Sequence, residues 1–161
     1  AKHYETGETI PESLEEKIKE SANFLEGYQT MRQLGFGKLD MAWHGQDNSS
    51  ITSVSDFERD ILKNTEVLSP IDGTNMSCSF SHIFQGGYSA GYYSYKWAEV
   101  LDADAFEYFK ENGIFNKEVA TKFKDNILSQ GGSEHPMTLY KRFRGQEPDV
   151  KALLRRAGLL N

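Results

Sequence analysis

Apolar residues recur along most of the chain at the three-to-four-residue spacing of amphipathic helices, and no stretch alternates as a half-buried strand would. Thr9-Ile10-Pro11-Glu12 reads as a capping box, with a side-chain acceptor first and Glu three residues on. Leu14, Ile18, Ala22 and Leu25 follow at helical spacing. Phe24, Tyr28, Met31, Leu34 and Leu39 mark a second helical pattern, which contains Gly27, Gly35 and Gly37. A glycine inside a helix costs about 1 kcal/mol relative to alanine. It also lets a neighbouring backbone approach closely.

Ser55-Asp56-Phe57-Glu58 forms a second predicted capping box, opening a short helix with Phe57, Ile61 and Leu62 inward. Asn64 to Phe80 contains Pro70, Gly73 and small polar residues and reads as a loop. A long helical pattern runs from about Tyr88 to Asn112 and stops at Gly113. Asn116 caps the next helix, which carries Val119, Phe123, Ile127 and Leu128 and ends at Gly131-Gly132. Pro136 and Pro148 suit first helical turns, and the two short helices they open stop at Gly145 and Gly158. The predicted fold class is therefore all-α, as one multi-helix unit over residues 1–161.

A chain of 161 residues fits one domain. With 38% hydrophobic and 26% charged residues, it has the composition of a soluble globular protein. The net charge of −6 argues against nucleic acid as a partner, since phosphate binding needs a clustered basic surface. The basic residues Lys141, Arg142, Arg144, Lys151, Arg155 and Arg156 read as a solvated face of the last two helices. No apolar run is long enough to cross a bilayer, so a membrane partner is not expected. Cys78 is the single cysteine, which excludes an internal disulfide and suits a reducing, cytoplasmic setting.

Chemistry concentrates between Phe80 and Trp97. Four of the eight tyrosines, Tyr88, Tyr92, Tyr93 and Tyr95, lie within eight residues, directly after Gly86-Gly87. A helix starting near Tyr88 would put Tyr88, Tyr92 and Tyr95 at i, i+4 and i+7, on one face. Tyr93 and Trp97 would point elsewhere, toward the core. A phenol titrates at about 10, so a row of them supplies neutral donors at physiological pH. Such donors suit a site where negative charge develops on a carbonyl oxygen. The plain alternative is an aromatic stripe that only packs, although three hydroxyls on one face would all need partners if buried. His82 alone would read as a structural histidine, and Gly86-Gly87 lacks the Gly-Lys-Ser/Thr continuation of a phosphate loop.

The block from His82 to Glu99 resembles the tyrosine-rich loop and helix of the thimet oligopeptidase family of zinc peptidases. His3-Tyr4-Glu5-Thr6-Gly7-Glu8, Met31-Arg32-Gln33-Leu34, Gly113-Ile114-Phe115-Asn116, Gly131-Gly132-Ser133 and Phe143-Arg144-Gly145-Gln146-Glu147-Pro148 resemble further landmarks, in order. The resemblance implies an elongated, two-lobed helical body with a deep channel, hydrolysing short peptides with one zinc ion. By the same resemblance, Tyr95 and His82 would face the scissile carbonyl and stabilise the tetrahedral intermediate. Tyr88, on the mobile loop of Gly86 and Gly87, would assist as that loop closes, and Tyr92 would contact the peptide backbone.

One element of the family is missing. Histidines stand only at 3, 44, 82 and 135, so no His-Glu-x-x-His can be written. His135 follows Glu134, but Pro136 comes next. The chain also opens without methionine, partway into the family's pattern. It is therefore expected to be the C-terminal, substrate-binding part of a peptidase, with zinc held elsewhere in the parent and none bound by this part. Alone it is expected to be inactive, and to self-associate through apolar surface on its first helices. A helical peptide-binding module and a bundle without a site are the competing readings.

Overall fold

The structure, a computed structural model, describes residues 2–160. It is all-α, and among these residues the only strand-like pairing is an isolated bridge between Lys2 and Thr9. None of its helices is long and apolar enough to cross a membrane.

Helix α1 (Glu12–Ser21) starts after Pro11, without a side-chain cap. The predicted box at Thr9 does not form. Thr9 is held in the bridge to Lys2, and proline biases the residue before it toward extended backbone. The apolar residues of α1 do share the predicted spacing, but none is buried; Leu14 and Ile18 face solvent.

Leu25, in the left-handed region at φ 57°, turns the chain into α2 (Glu26–His44). Here the interior glycines are used. A Cβ on Gly35 would lie 3.0 Å from Thr65 Oγ1 and 3.3 Å from Leu62 Cδ2, so the end of the next helix and the residues after it could not sit as close to a larger residue. On Gly37 it would touch the backbone of Tyr93 at 3.7 Å.

Helix α3 (Val54–Leu62) is capped by Ser53, whose Oγ accepts from the Asp56 amide at 3.2 Å. The predicted Ser55 cap is displaced by two residues, because Ser53 has the extended backbone a cap needs and Asp56 is third after it. Leu62 is buried and Phe57 and Ile61 pack beside it, as predicted. The loop beyond closes on buried Glu58, which accepts from the amides of Met76 (2.6 Å) and Ser77 (2.7 Å) and from the Ser77 hydroxyl (2.7 Å). Leu39, Leu62, Phe80 and Ile83 form the first core, with Phe36, Trp43 and Tyr92 against it. The short α4 (Ser81–Phe84) carries Ile83 into it.

Helix α5 spans Ser94–Asn112 and stops at Gly113, with φ 96°. Its end is as predicted; its start is not. Residues 89–93 are turns, with Ala90 left-handed at φ 55°. The amides of Ala90 and Tyr92 are taken by the Asp40 carboxylate and so cannot enter a helical ladder. Tyr93 and Trp97 are likewise not core residues: they are 57% and 46% exposed.

Asn116 caps α6 (Lys117–Phe123) as predicted, accepting from the Glu118 amide at 2.9 Å. A π-helical turn, Lys124–Leu128, follows. Pro136 opens α7 (Pro136–Arg144), capped by His135, whose Nδ1 accepts from the Met137 amide. Pro148 lies two residues before α8 (Val150–Arg156), because Asp149 takes the capping position. Left-handed Gly145 and Gly158 end the two helices.

Val100, Ala103, Ala152 and Leu153 join α5 to α8 in a second core, and Phe143 is buried among Phe109, Phe123 and Tyr140. The C-terminal basic residues are only partly a solvated face. Arg155 and Arg156 clamp Glu107 and Asp102 of α5, and Arg144 reaches inward to buried Asp104.

Candidate active site

The structure brings His82, Tyr88, Tyr92 and Tyr95 together. Tyr88 stacks on Tyr95 with ring centroids 5.2 Å apart, and Tyr92 meets Tyr95 at 5.0 Å. The His82 ring lies 5.9 Å from Tyr88 and 6.2 Å from Tyr92. The grouping expected from helical spacing therefore exists, but a helix does not make it. Tyr95 stands in the first turn of α5, Tyr92 lies in the preceding turns, and Tyr88 ends the glycine loop. His82 projects from α4.

The cluster grades from core to solvent. Phe80 is buried and meets Tyr92 at 5.0 Å. Tyr92 is half-buried, while Tyr95 and His82 are exposed. Phe36 backs Tyr92 edge-on at 5.9 Å, with the Arg32 guanidinium over its ring at 4.6 Å. Burial pushes the Tyr92 phenol above its ordinary value, and the nearby charge of Arg32 opposes this. The Tyr95 phenol is also raised, first by hydrogen bonding with the Tyr88 hydroxyl, then by burial and by Tyr88 and Tyr92. Both shifts favour the protonated form, so these groups remain neutral donors at physiological pH.

Gly86 and Gly87 bend the chain back over the end of α4. A Cβ on Gly86 would lie 2.9 Å from the His82 carbonyl oxygen, which leaves no space for one. Gly87 has φ 80° with open space around it, so only its backbone conformation favours glycine. The Ser89 hydroxyl donates to the Ile83 carbonyl at 2.5 Å and ties the loop to α4.

Asp40 is the residue that sequence reasoning missed. It is fully buried in the middle of α2, and its carboxylate holds the turn between Tyr88 and Tyr92. The available signal was its spacing: Phe36, Asp40 and His44 recur every four residues, which puts a carboxylate on an apolar face. Among the described residues no three His, Cys, Asp or Glu side chains gather as a metal-holding group. The described residues do not make a zinc site.

The chain thus combines an all-helical fold with an open cluster of three phenols and an imidazole. Residues 1–159 match Peptidase family M3, and the chain belongs to that family. Oligopeptidase A of Haemophilus influenzae is 46% identical over 160 residues, covering 99% of this chain and 24% of that protein. Oligopeptidase A of Escherichia coli is 46% identical over 158 residues, covering 98% of this chain and 23% of that protein. Dipeptidyl carboxypeptidase of Escherichia coli is 37% identical over 161 residues, covering 99% and 24%. The chain spans about a quarter of the length of these relatives.

Proposed function

We propose that residues 1–161 are the substrate-binding, C-terminal part of the catalytic domain of a zinc-dependent oligopeptidase that hydrolyses short peptides. The observation that carries this reading is the convergence of Tyr88, Tyr92, Tyr95 and His82 on one open surface, in a chain matched almost end to end by oligopeptidases. Tyr95 and His82 donate hydrogen bonds to the scissile carbonyl oxygen as it gains negative charge. Tyr88, carried by the loop of Gly86 and Gly87, adds a donor when that loop closes on substrate. Tyr92, held against the core, aligns the peptide backbone. Zinc, bound by another part of the polypeptide, supplies Lewis acidity and an activated water.

The test uses the full-length protein that carries this sequence. It should hydrolyse short unstructured peptides, lose activity to a chelator and regain it with zinc. A metal-loaded full-length protein that binds such peptides without cleaving them would make this a binding module instead.

The same reading has the isolated chain associate through its N-terminal helices. Helix α1 buries none of its residues, and Phe24, Leu25 and Met41 are exposed. Exposed apolar surface of this kind drives association. Sedimentation equilibrium should find a dimer or larger species, and one chain's mass at every concentration would refute the expectation.

A further inference from the structure

Among the described residues three buried carboxylates organise the fold, and they do different things. Glu58 pins the loop at Met76 and Ser77, and Asp104 pairs with Tyr140 and Arg144 in the C-terminal half. Only Asp40 is bonded to the segment that carries the tyrosines. Its Oδ1 accepts from the Ala90 amide at 2.9 Å, and its Oδ2 accepts from the Tyr92 amide at 2.8 Å. His44, one turn further along α2, brings Nδ1 to 2.8 Å from Oδ1. A carboxylate only accepts, so Nδ1 is the donor there.

These bonds explain a backbone that the local sequence does not favour. Ala90 is left-handed at φ 55°, a conformation that costs a residue with a Cβ. Two amides two residues apart can both reach one carboxylate only if the chain between them turns. The turn brings Tyr88 back onto Tyr95 and leaves Tyr92 between them and the core. Charge-assisted bonds shielded from water are strong and directional. They fix the chain at Ala90 and Tyr92 without touching any group that could meet substrate.

We propose that Asp40, oriented by His44, is a positioning residue for catalysis: its buried carboxylate clamps the Ala90 and Tyr92 amides and so sets the spacing of the Tyr88–Tyr92–Tyr95 donor row. The proposal rests on the oligopeptidase reading above. Its consequence falls on the transition state rather than on the first binding of substrate, because a displaced donor row fails where charge develops.

The test compares Asp40→Asn, Leu39→Val and Tyr95→Phe in the full-length, zinc-loaded protein. Short-peptide kinetics are combined with amide hydrogen exchange at Ala90 and Tyr92. Asp40→Asn turns an amide donor toward one of the two backbone donors. It should lower kcat about 10–100-fold while KM changes less than about threefold. Exchange at the two amides should speed up, and zinc content should stay at wild type. Leu39 is as fully buried on the same helix but bonds to neither amide. Leu39→Val should keep kcat in its folded fraction even where Tm falls, which a merely structural role for Asp40 would not distinguish.

Should Asp40→Asn fail to fold, His44→Asn carries the test. It leaves both amide bonds but frees the carboxylate to rotate, and should lower kcat at least about threefold at unchanged zinc content. Wild-type kcat in the folded position-40 variant, or in the position-44 variant used in its place, overturns the positioning role while a Tyr95→Phe loss keeps the parent reading. Wild-type kcat in Tyr95→Phe as well overturns both.

Discussion

Replacing Tyr95 by phenylalanine in the full-length protein is expected to lower kcat by about 10²–10³-fold and leave KM near its wild-type value. The substitution removes one hydroxyl and little else. The ring keeps its packing partners, Tyr88 at 5.2 Å and Tyr92 at 5.0 Å. Tyr95 is 41% exposed, so the fold does not depend on burying its hydroxyl. A donor used as negative charge develops contributes to the transition state and little to the ground state, so the loss appears in kcat. The raised Tyr95 pKa adds a pH prediction with a definite sign. The donor form is the protonated one, so Tyr95 should lose its proton at higher pH than an ordinary phenol does. A loss of kcat that sets in at lower pH than an ordinary phenol's titration would belong to another group. A kcat change below about threefold in Tyr95→Phe would remove the residue from this role.

The helix ends that were legible in the sequence are those decided within a few residues. Gly113, Gly145 and Gly158 stop helices because left-handed or otherwise positive φ costs glycine least, and Asn116 caps because its side chain reaches amides two and three residues on. The start of α5 was not legible. The acceptor that takes the Ala90 and Tyr92 amides out of a helix lies 50 and 52 residues away, beyond the reach of any local pattern. Tyr93 and Trp97 were assigned to the core by the same assumed helix, and lost that place when the helix began later. Helix α1 shows a different limit. Periodicity says which face is apolar but not whether anything covers it, and here nothing among the described residues does.

The candidate site was legible in composition and obscure in construction. Clustered tyrosines beside a glycine pair were visible as chemistry, and a resemblance put roles on them. Asp40 was not visible as part of it, because one aspartate inside a helix ordinarily reads as surface. His135 followed the opposite course. The sequence pairs it with Glu134 in a way that brings a metal motif to mind. In the fold its Nδ1 caps α7, while Glu134 makes a two-point bond to Arg142, both contacts at 2.9 Å.

The largest stability effect is expected at Asp104. This carboxylate, 1% exposed on α5, accepts from the Tyr140 hydroxyl at 2.6 Å and from Arg144 Nε at 3.2 Å. It thereby ties α7 to α5 through groups largely shielded from water. Asp104→Ala leaves Arg144, whose side chain is 11% exposed, without its buried counterion. Removing one partner of a buried pair costs about 3–5 kcal/mol. The lower end applies here, because Glu111 at 3.7 Å and the Leu101 carbonyl at 3.3 Å can partly replace the lost contacts. Even about 3 kcal/mol is a large share of the 5–15 kcal/mol typical of a folded domain. The nearby Asp102–Arg156 pair is the control. Both of its side chains are well exposed, so Asp102→Ala should cost about 0–1 kcal/mol. Alkaline titration supplies a second readout. Burial, and then the hydrogen bond and charge of Asp104, raise the Tyr140 pKa. The stability tied to that protonated phenol is present below the unfolded value of about 10 and falls as pH rises past it. Asp104→Ala removes two of the three causes that raise it and leaves the opposing charge of Arg144, so it should flatten that alkaline decline as well as lower stability at neutral pH. Denaturant midpoints for the two alanine variants, measured at neutral and alkaline pH, decide the matter. Equal losses at Asp102 and Asp104 would show the buried pair to be no stronger than a solvated one.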